Sequence, residues 1–318
     1  MTLTCLAKHA RSRRRWRAAR YAALLVGIHG APLAAQDVPP PIGRPVTGNG
    51  IAQLSPGQTV LPRLTSAQAE QLALLLRKDA VAQGLTDQPP ALPLDNDGLV
   101  RAALDHAHAV HAGRLAEADF QRDWAMRPAA YEPLPAFEDA VGRDRLASWI
   151  AALPPPYAGY DALVAGLARY RAIAESGGWE PLATGADLNP GRTGPRIAAL
   201  RKRLMIEDAA LTDSGDSLDT ALIEAVQRAQ RRFGLNPVGV VDGQTIAALN
   251  VPVETRLRQI EANMERWRWL PTELPKNRVQ VNIAAAILTV FDGDAPVLSM
   301  KAVPGRPGAE TPTPAPQI

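Results

Sequence analysis

Apolar residues recur at helical spacing through most of this sequence, and glycines and prolines interrupt them about once per helix length. The period shortens to two only near the end, from Arg278 onward. These observations predict a mainly α protein: a helical domain, then a small three-helix module, then a short, incomplete antiparallel β unit. With 318 residues, 46% of them hydrophobic, the chain is long enough for more than one core.

The first 36 residues read as an export signal. Lys8, Arg11, Arg13, Arg14, Arg15, Arg17 and Arg20 make a basic end, and Tyr21 to Ala34 gives an apolar stretch broken by Gly27, His29, Gly30 and Pro32. Ala34 and Ala35 suit a peptidase near Gln36. The stretch falls short of the roughly 20 uninterrupted apolar residues of a stable bilayer span, so no stable span is expected. The expected location is the periplasm; an inner-membrane anchor facing the periplasm is the alternative.

Seven of the 35 basic residues and none of the 32 acidic ones lie in that segment. Without it, 28 basic residues face 32 acidic ones, a formal charge of −4, and the pI of about 9.2 belongs to the signal. Nucleic acid is therefore not an expected partner. Arg201-Lys202-Arg203 and Arg228, Arg231 and Arg232 read as solvated helix faces. Cys5, the one cysteine, sits in the signal, which leaves no disulfide or cysteine metal site beyond it.

Residues 37–63 carry Pro39-Pro40-Pro41 and almost no periodicity, and read as a flexible linker. Thr65-x-x-Gln68 is a capping-box pattern that opens a helix with Leu72, Leu75 and Leu76 on its apolar face and Gly84 at its end. Further helical spacing runs from Asp97 to Gly113, from Phe137 to Leu153 and from Tyr157 to Ala174, so 64–177 is expected to be one all-helical domain. His106, His108 and His111 raise a metal reading, with His108 and His111 three residues apart. Asp105 is the only acid beside them and no cysteine flanks them, so no metal ligand is assigned.

The stretch from Gly194 to Asn250, within a domain read as 178–252, forms three short helices. Ile197, Leu200 and Leu204 mark a first, shorter one. In the central one, Leu222, Val226, Ala229 and Phe233 share a face, with Glu224, Gln227, Arg228, Arg231 and Arg232 largely elsewhere. Ser217 or Asp219 can cap its start and Gly234 suits its end. After the turn Asn236-Pro237-Val238-Gly239, Asp242 and Thr245 open a third helix through Ala248 and Leu249. Arg231, Asn236, Asp242 and Thr245 lie at the rim of this unit and are the candidate ligand-binding residues, although capping explains them equally well.

Ala225-Val226 through Phe233-Gly234-Leu235, followed by Gly239-Val240-Val241-Asp242-Gly243-Gln244-Thr245-Ile246-Ala247-Ala248-Leu249, resembles the peptidoglycan-binding-like domain of bacterial cell-wall enzymes. The resemblance implies peptidoglycan as partner. Ala229 departs from it, standing where that family usually has Phe, and Phe233 or a neighbouring domain is expected to fill the space.

From Val253 another helix, read as a connector over 253–277, carries Leu257, Ile260, Met264 and Trp267 on one face and Arg256, Arg258, Glu261 and Glu265 on others, and Pro271 stops it. Val279, Val281 and Ile283 then alternate with Arg278, Gln280 and Asn282; Ile287 to Phe291 makes a second strand, Asp292-Gly293 a turn, and Val297 to Val303 a third strand. Pro154-Pro155-Pro156-Tyr157, Leu167-Ala168-Arg169-Tyr170-Arg171, Gly177-Gly178-Trp179, Ile260 to Pro271 and Val303-Pro304-Gly305-Arg306-Pro307 resemble the large multidomain L,D-transpeptidases. That resemblance runs from about Leu64 to the last residue. It implies a helical scaffold domain plus a three-helix peptidoglycan-binding-like module, followed over 278–318 by the start of the catalytic domain.

The family joins peptidoglycan stem peptides through a cysteine acyl-enzyme with a histidine base, chemistry that depends on an ionised thiol. No Cys or His follows His111, so no catalytic residue is assigned and the chain is expected to be truncated before the nucleophile and inactive in cross-linking as written. Ser299 lies mid-strand without a His or Asp motif, and Gly305-Arg306-Pro307-Gly308 lacks the Lys and following helix of a phosphate loop. No cofactor is expected. The functional expectation is the peptidoglycan-binding portion of a periplasmic L,D-transpeptidase-type protein of cell-wall biogenesis, the alternative being a non-catalytic wall-binding or regulatory protein.

Overall fold

The computed structural model describes residues 60–85, 95–120, 127–282, 287–293 and 295–303. The signal, residues 37–59 of the linker, Ile283 and the segment from Pro304 to Ile318 lie outside the described residues.

Four helices make the first core: α1 (Ser66–Ala82), α2 (Asn96–His111), α3 (Leu134–Gly142) and α4 (Leu146–Ala151). The capping box at the start of α1 forms as expected, with the Thr65 hydroxyl accepting from the Gln68 amide at 3.2 Å and the Gln68 side chain accepting from the Thr65 amide at 3.1 Å. Asp95 caps α2 by accepting from the Gly98 amide at 2.8 Å. Leu72, Leu76, Val100, Phe137 and Leu146 are buried together, and Phe137 meets Trp149 edge-on at 4.9 Å between ring centroids.

The helical spacing from Phe137 to Leu153 resolves into two helices. Asp144 takes a left-handed conformation, φ 54°, and the Arg145 amide turns back to the Ala140 carbonyl at 2.8 Å, which closes α3 before α4 begins. Periodicity alone does not register a one-residue reversal of φ.

A second core is the antiparallel-looking pair of α5 (Ala158–Glu175) and α9 (Val253–Arg268), which contributes Tyr160, Leu163, Leu167, Ile260 and Met264. The helix read as a connector is thus one half of a packed pair. Arg256 and Glu265 of α9, expected off its apolar face, are buried, and so is Arg268. They can be, because each finds polar partners there: Arg268 donates to Glu265 Oε2 at 3.1 Å, to the Gln83 carbonyl at 2.7 Å and to the Tyr160 hydroxyl at 3.0 Å. Glu265 Oε1 in turn accepts from the Arg114 amide at 2.6 Å and from the Trp269 indole at 3.2 Å. This cluster ties α9 to the ends of α1 and α2.

Between α5 and α9 the chain makes α6 (Pro195–Glu207), α7 (Thr220–Arg232) and α8 (Gly243–Leu249), which enclose the third core. After α9 come β1 (Asn277–Asn282), β2 (Ile287–Asp292) and β3 (Ala295–Lys301), an antiparallel sheet in the order β1-β2-β3. The third strand starts and stops two residues earlier than its alternation suggested, following a register irregularity between Val290 and Phe291. Val279, Val281, Val297, Leu298 and Met300 are exposed, while Arg278 lies over the Phe291 ring opposite it at 4.1 Å. Among the described residues, no helix is long and apolar enough to cross a membrane.

The close approach of α5 and α9 depends on Gly159. A methyl group there would stand 2.5 Å from the Trp267 ring, an atom of a rigid side chain that cannot give way at its tip. Gly159→Ala should destabilise the protein by about 1–3 kcal/mol, read as a lower urea midpoint, despite the better helix propensity of Ala.

Candidate functional site

The three-helix module is built from its caps inward. Asp219, of the two candidates, caps α7 by accepting from the Leu222 amide at 2.9 Å, and Gly234, φ 70°, follows its last turn. The first helix, α6, is no shorter than α7; both have 13 residues. Leu222, Val226, Ala229 and Phe233 are all buried, in one cluster with Leu200, Leu204 and Leu249. Phe233 lies in the same core as Ala229, and Arg256 from α9 covers the Phe233 ring at 4.4 Å.

Gln230 is the module's central polar residue, buried and fully engaged. Its amide nitrogen donates to the Val240 carbonyl at 2.7 Å and to Thr245 Oγ1 at 3.1 Å, and its oxygen accepts from the Gly239 amide at 3.0 Å. One side chain therefore fastens α7 to the turn and to α8. Gly239, φ 76°, is required for this, because a Cβ would lie 2.8 Å from Ile223.

The four sequence-predicted residues divide. Thr245 is 1% exposed, its hydroxyl donating to Asp242 Oδ1 at 2.7 Å, and Asp242 accepts the Thr245 amide at 2.7 Å as the cap of α8. These two are occupied in holding the helix, while Arg231 and Asn236 are exposed. The basic residues divide too. Arg201 and Arg203, expected on a solvated face, are buried: Arg201 binds Asp213 at 2.8 Å and Asp219 at 2.6 Å, and Arg203 binds Glu207 at 2.6 Å. Arg228 pairs with Asp208 at 2.7 Å. Each cation found a carboxylate of the same small module; Arg203–Glu207 is an i,i+4 pair within α6, whereas Asp213 and Asp219 of Arg201 and Asp208 of Arg228 lie 12 to 20 positions away.

Glu207, 1% exposed, joins the module to its neighbours. Its carboxylate accepts from Arg203 and from the Tyr170 hydroxyl of α5, Arg232 of α7 lies 3.6 Å away, and its backbone carbonyl accepts from Arg169. Arg203 also lies over the Trp179 ring at 3.6 Å and donates to the Leu249 carbonyl at 3.1 Å, and Arg256 donates to the Ala248 carbonyl at 2.6 Å. Burial works to raise the Glu207 pKa, yet the Arg203 and Arg232 charges and the Tyr170 hydroxyl outweigh it and hold it below its ordinary value of 4.5. Burial and the adjacent Glu207 charge push the Tyr170 phenol upward, so it stays a donor.

The module's surface carries a concavity of about 200 Å³ lined by Leu182, Ala183, Leu188, Pro195, Arg196, Ala199 and Ile246. Its walls are fixed: Asn250 binds both the amide and the carbonyl of Leu182, at 2.7 and 2.9 Å, and Leu188 pairs through its backbone with Val241 at 3.0 and 3.1 Å. None of the four predicted residues lines it. Asn250 could have been noticed as a polar residue just past a helix end, but its partner lies 68 residues away.

The histidines have structural partners. His106 Nε2 lies 2.8 Å from Asp79 Oδ2, and His111 stacks on Tyr131 at 3.9 Å between centroids. Among the described residues, no group of three or more metal-ligating side chains comes together.

With this geometry in view, residues 193–249 match the family model "Putative peptidoglycan binding domain". The module is similar to peptidoglycan-binding domains. Residues 57–167 match a second family model, "Scaffold domain", which spans α1 to α4 and most of α5. No curated protein matches the chain. The two matched families and their order fit the suspected multidomain arrangement, and the peptidoglycan-binding module supports a cell-wall role with peptidoglycan as partner.

Replacing Glu207 by Ala should cost about 3–5 kcal/mol, because it strands the buried Arg203 charge, and this is measurable by urea unfolding. Since the Glu207 pKa is depressed on folding, its contribution is fully present above about pH 4.5 and disappears as the pH falls through the lower, folded value. Glu207→Gln should flatten that part of the acid-stability profile.

Proposed function

We propose that this chain is the wall-binding part of a periplasmic protein of the L,D-transpeptidase kind, which engages peptidoglycan through the module at 193–249 and holds it on the helical scaffold. The match of a fully formed three-helix module to the peptidoglycan-binding family carries this reading. The scaffold match ahead of it, and the Ile260 to Pro271 and Val303 to Pro307 sequences after it, support the narrower assignment to that enzyme type. The export-signal pattern of the first 36 residues supports the compartment. In this reading residues 60–303 bind and position, and the acyl-transfer chemistry is not theirs: Cys5 is the one cysteine and no histidine follows His111.

The purified full chain should co-sediment with peptidoglycan sacculi, well above a non-binding control protein of similar charge. It should form no new cross-links between muropeptides. Retention no better than the control would remove the wall-binding reading, and new cross-links would overturn the assignment of the chemistry elsewhere.

A further inference from the structure

Peptidoglycan offers two chemically distinct faces, a glycan dense in hydroxyl and acetamido groups and a peptide arm that carries alanine methyls and free carboxylates. The concavity beside α6 discriminates between them. Six of its lining residues, Leu182, Ala183, Leu188, Pro195, Ala199 and Ile246, present apolar surface, and none is aromatic. A sugar pressed against such a wall would lose hydrogen bonds to water and gain none. A methyl group would lose nothing and bury apolar surface.

The seventh lining residue, Arg196, supplies charge. Arg196 makes its two hydrogen bonds to neutral carbonyls, those of Ala186 at 2.8 Å and Ala183 at 3.3 Å, so its positive charge is not cancelled by them. Its Nε is buried without a hydrogen-bond partner. A guanidinium held this way by its loop is pre-oriented, and a carboxylate is the acceptor that suits it best. The loop itself leaves little slack, since a Cβ on Gly185 would stand 3.1 Å from the guanidinium. The walls tied by Asn250 and by the Leu188–Val241 pairing keep the concavity open before any ligand arrives.

Resting on the wall-binding reading above, we infer that the module takes the peptide arm of peptidoglycan and not its glycan: an alanine methyl seats against Leu182, Leu188, Ala199 and Ile246, with the neighbouring carboxylate on Arg196. The footprint is small, so a single arm binds weakly and the wall is held through many such arms.

The test uses the full chain and four probes: intact sacculi, a synthetic stem tetrapeptide ending in D-alanine, the same peptide as its C-terminal amide, and a chitin oligosaccharide. Calorimetry or NMR titration should show the free-acid tetrapeptide binding about tenfold tighter than the amide, and no saturable binding of the oligosaccharide. Ala199→Trp, which fills the concavity from an exposed helix position, and Arg196→Gln should each weaken the free acid about tenfold or more while circular dichroism stays unchanged. Two outcomes overturn the inference alone: sacculus binding with no tetrapeptide binding, or tetrapeptide binding that neither variant alters. Loss of sacculus binding by the wild-type chain overturns the wall-binding reading itself, and the inference with it. A variant that loses its helical signal is replaced by Ala199→Leu, a smaller obstruction at the same place, with the same expected direction.

Discussion

The buried carboxylate of Glu207 fixes how this protein is assembled. It leaves water only because Arg203 and the Tyr170 hydroxyl contact it and Arg232 stands near, and those three groups come from α6, α5 and α7. A charge in such surroundings is tolerable only while every partner is in place. The module therefore has one orientation on the α5–α9 pair, reinforced where Arg256 covers Phe233 and reaches the Ala248 carbonyl.

The other end of α9 repeats the device. Arg268 and Glu265 bridge it to the Gln83 carbonyl, to Tyr160 and to the backbone at Arg114. α9 thus carries a polar junction near each end and an apolar stripe of Ile260 and Met264 between them. For a binding module this matters physically: a ligand engaged at the α6 surface meets a unit already ordered against the rest of the chain, so no ordering of the module has to accompany binding.

Much of the local structure was legible beforehand. The Thr65–Gln68 capping box, Asp242 at the head of α8, Gly234 after α7 and the change of period after Arg278 all formed where the pattern put them. The candidate site was less legible. Asp242 and Thr245 turned inward to serve the helix start, leaving Arg231 and Asn236 exposed, and the concavity is lined by residues from 182 to 246 that share no local pattern. Arg201 and Arg203 read as part of a solvated helix face; they are buried because Asp213 and Asp219 meet Arg201, and Glu207 and the Leu249 carbonyl meet Arg203.

By itself the sequence determined the helices, their caps and the mainly α class, because those follow from spacing and from side chains that bond backbone groups within three or four residues. Only the tertiary structure decided which charges are buried, that α9 is a packed partner of α5, and where the module is concave. Local pairs such as Arg203–Glu207 and Arg268–Glu265 are buried only together with partners brought from much farther along the chain, such as Tyr170 to Glu207 and the Gln83 carbonyl to Arg268, and no local period encodes that meeting.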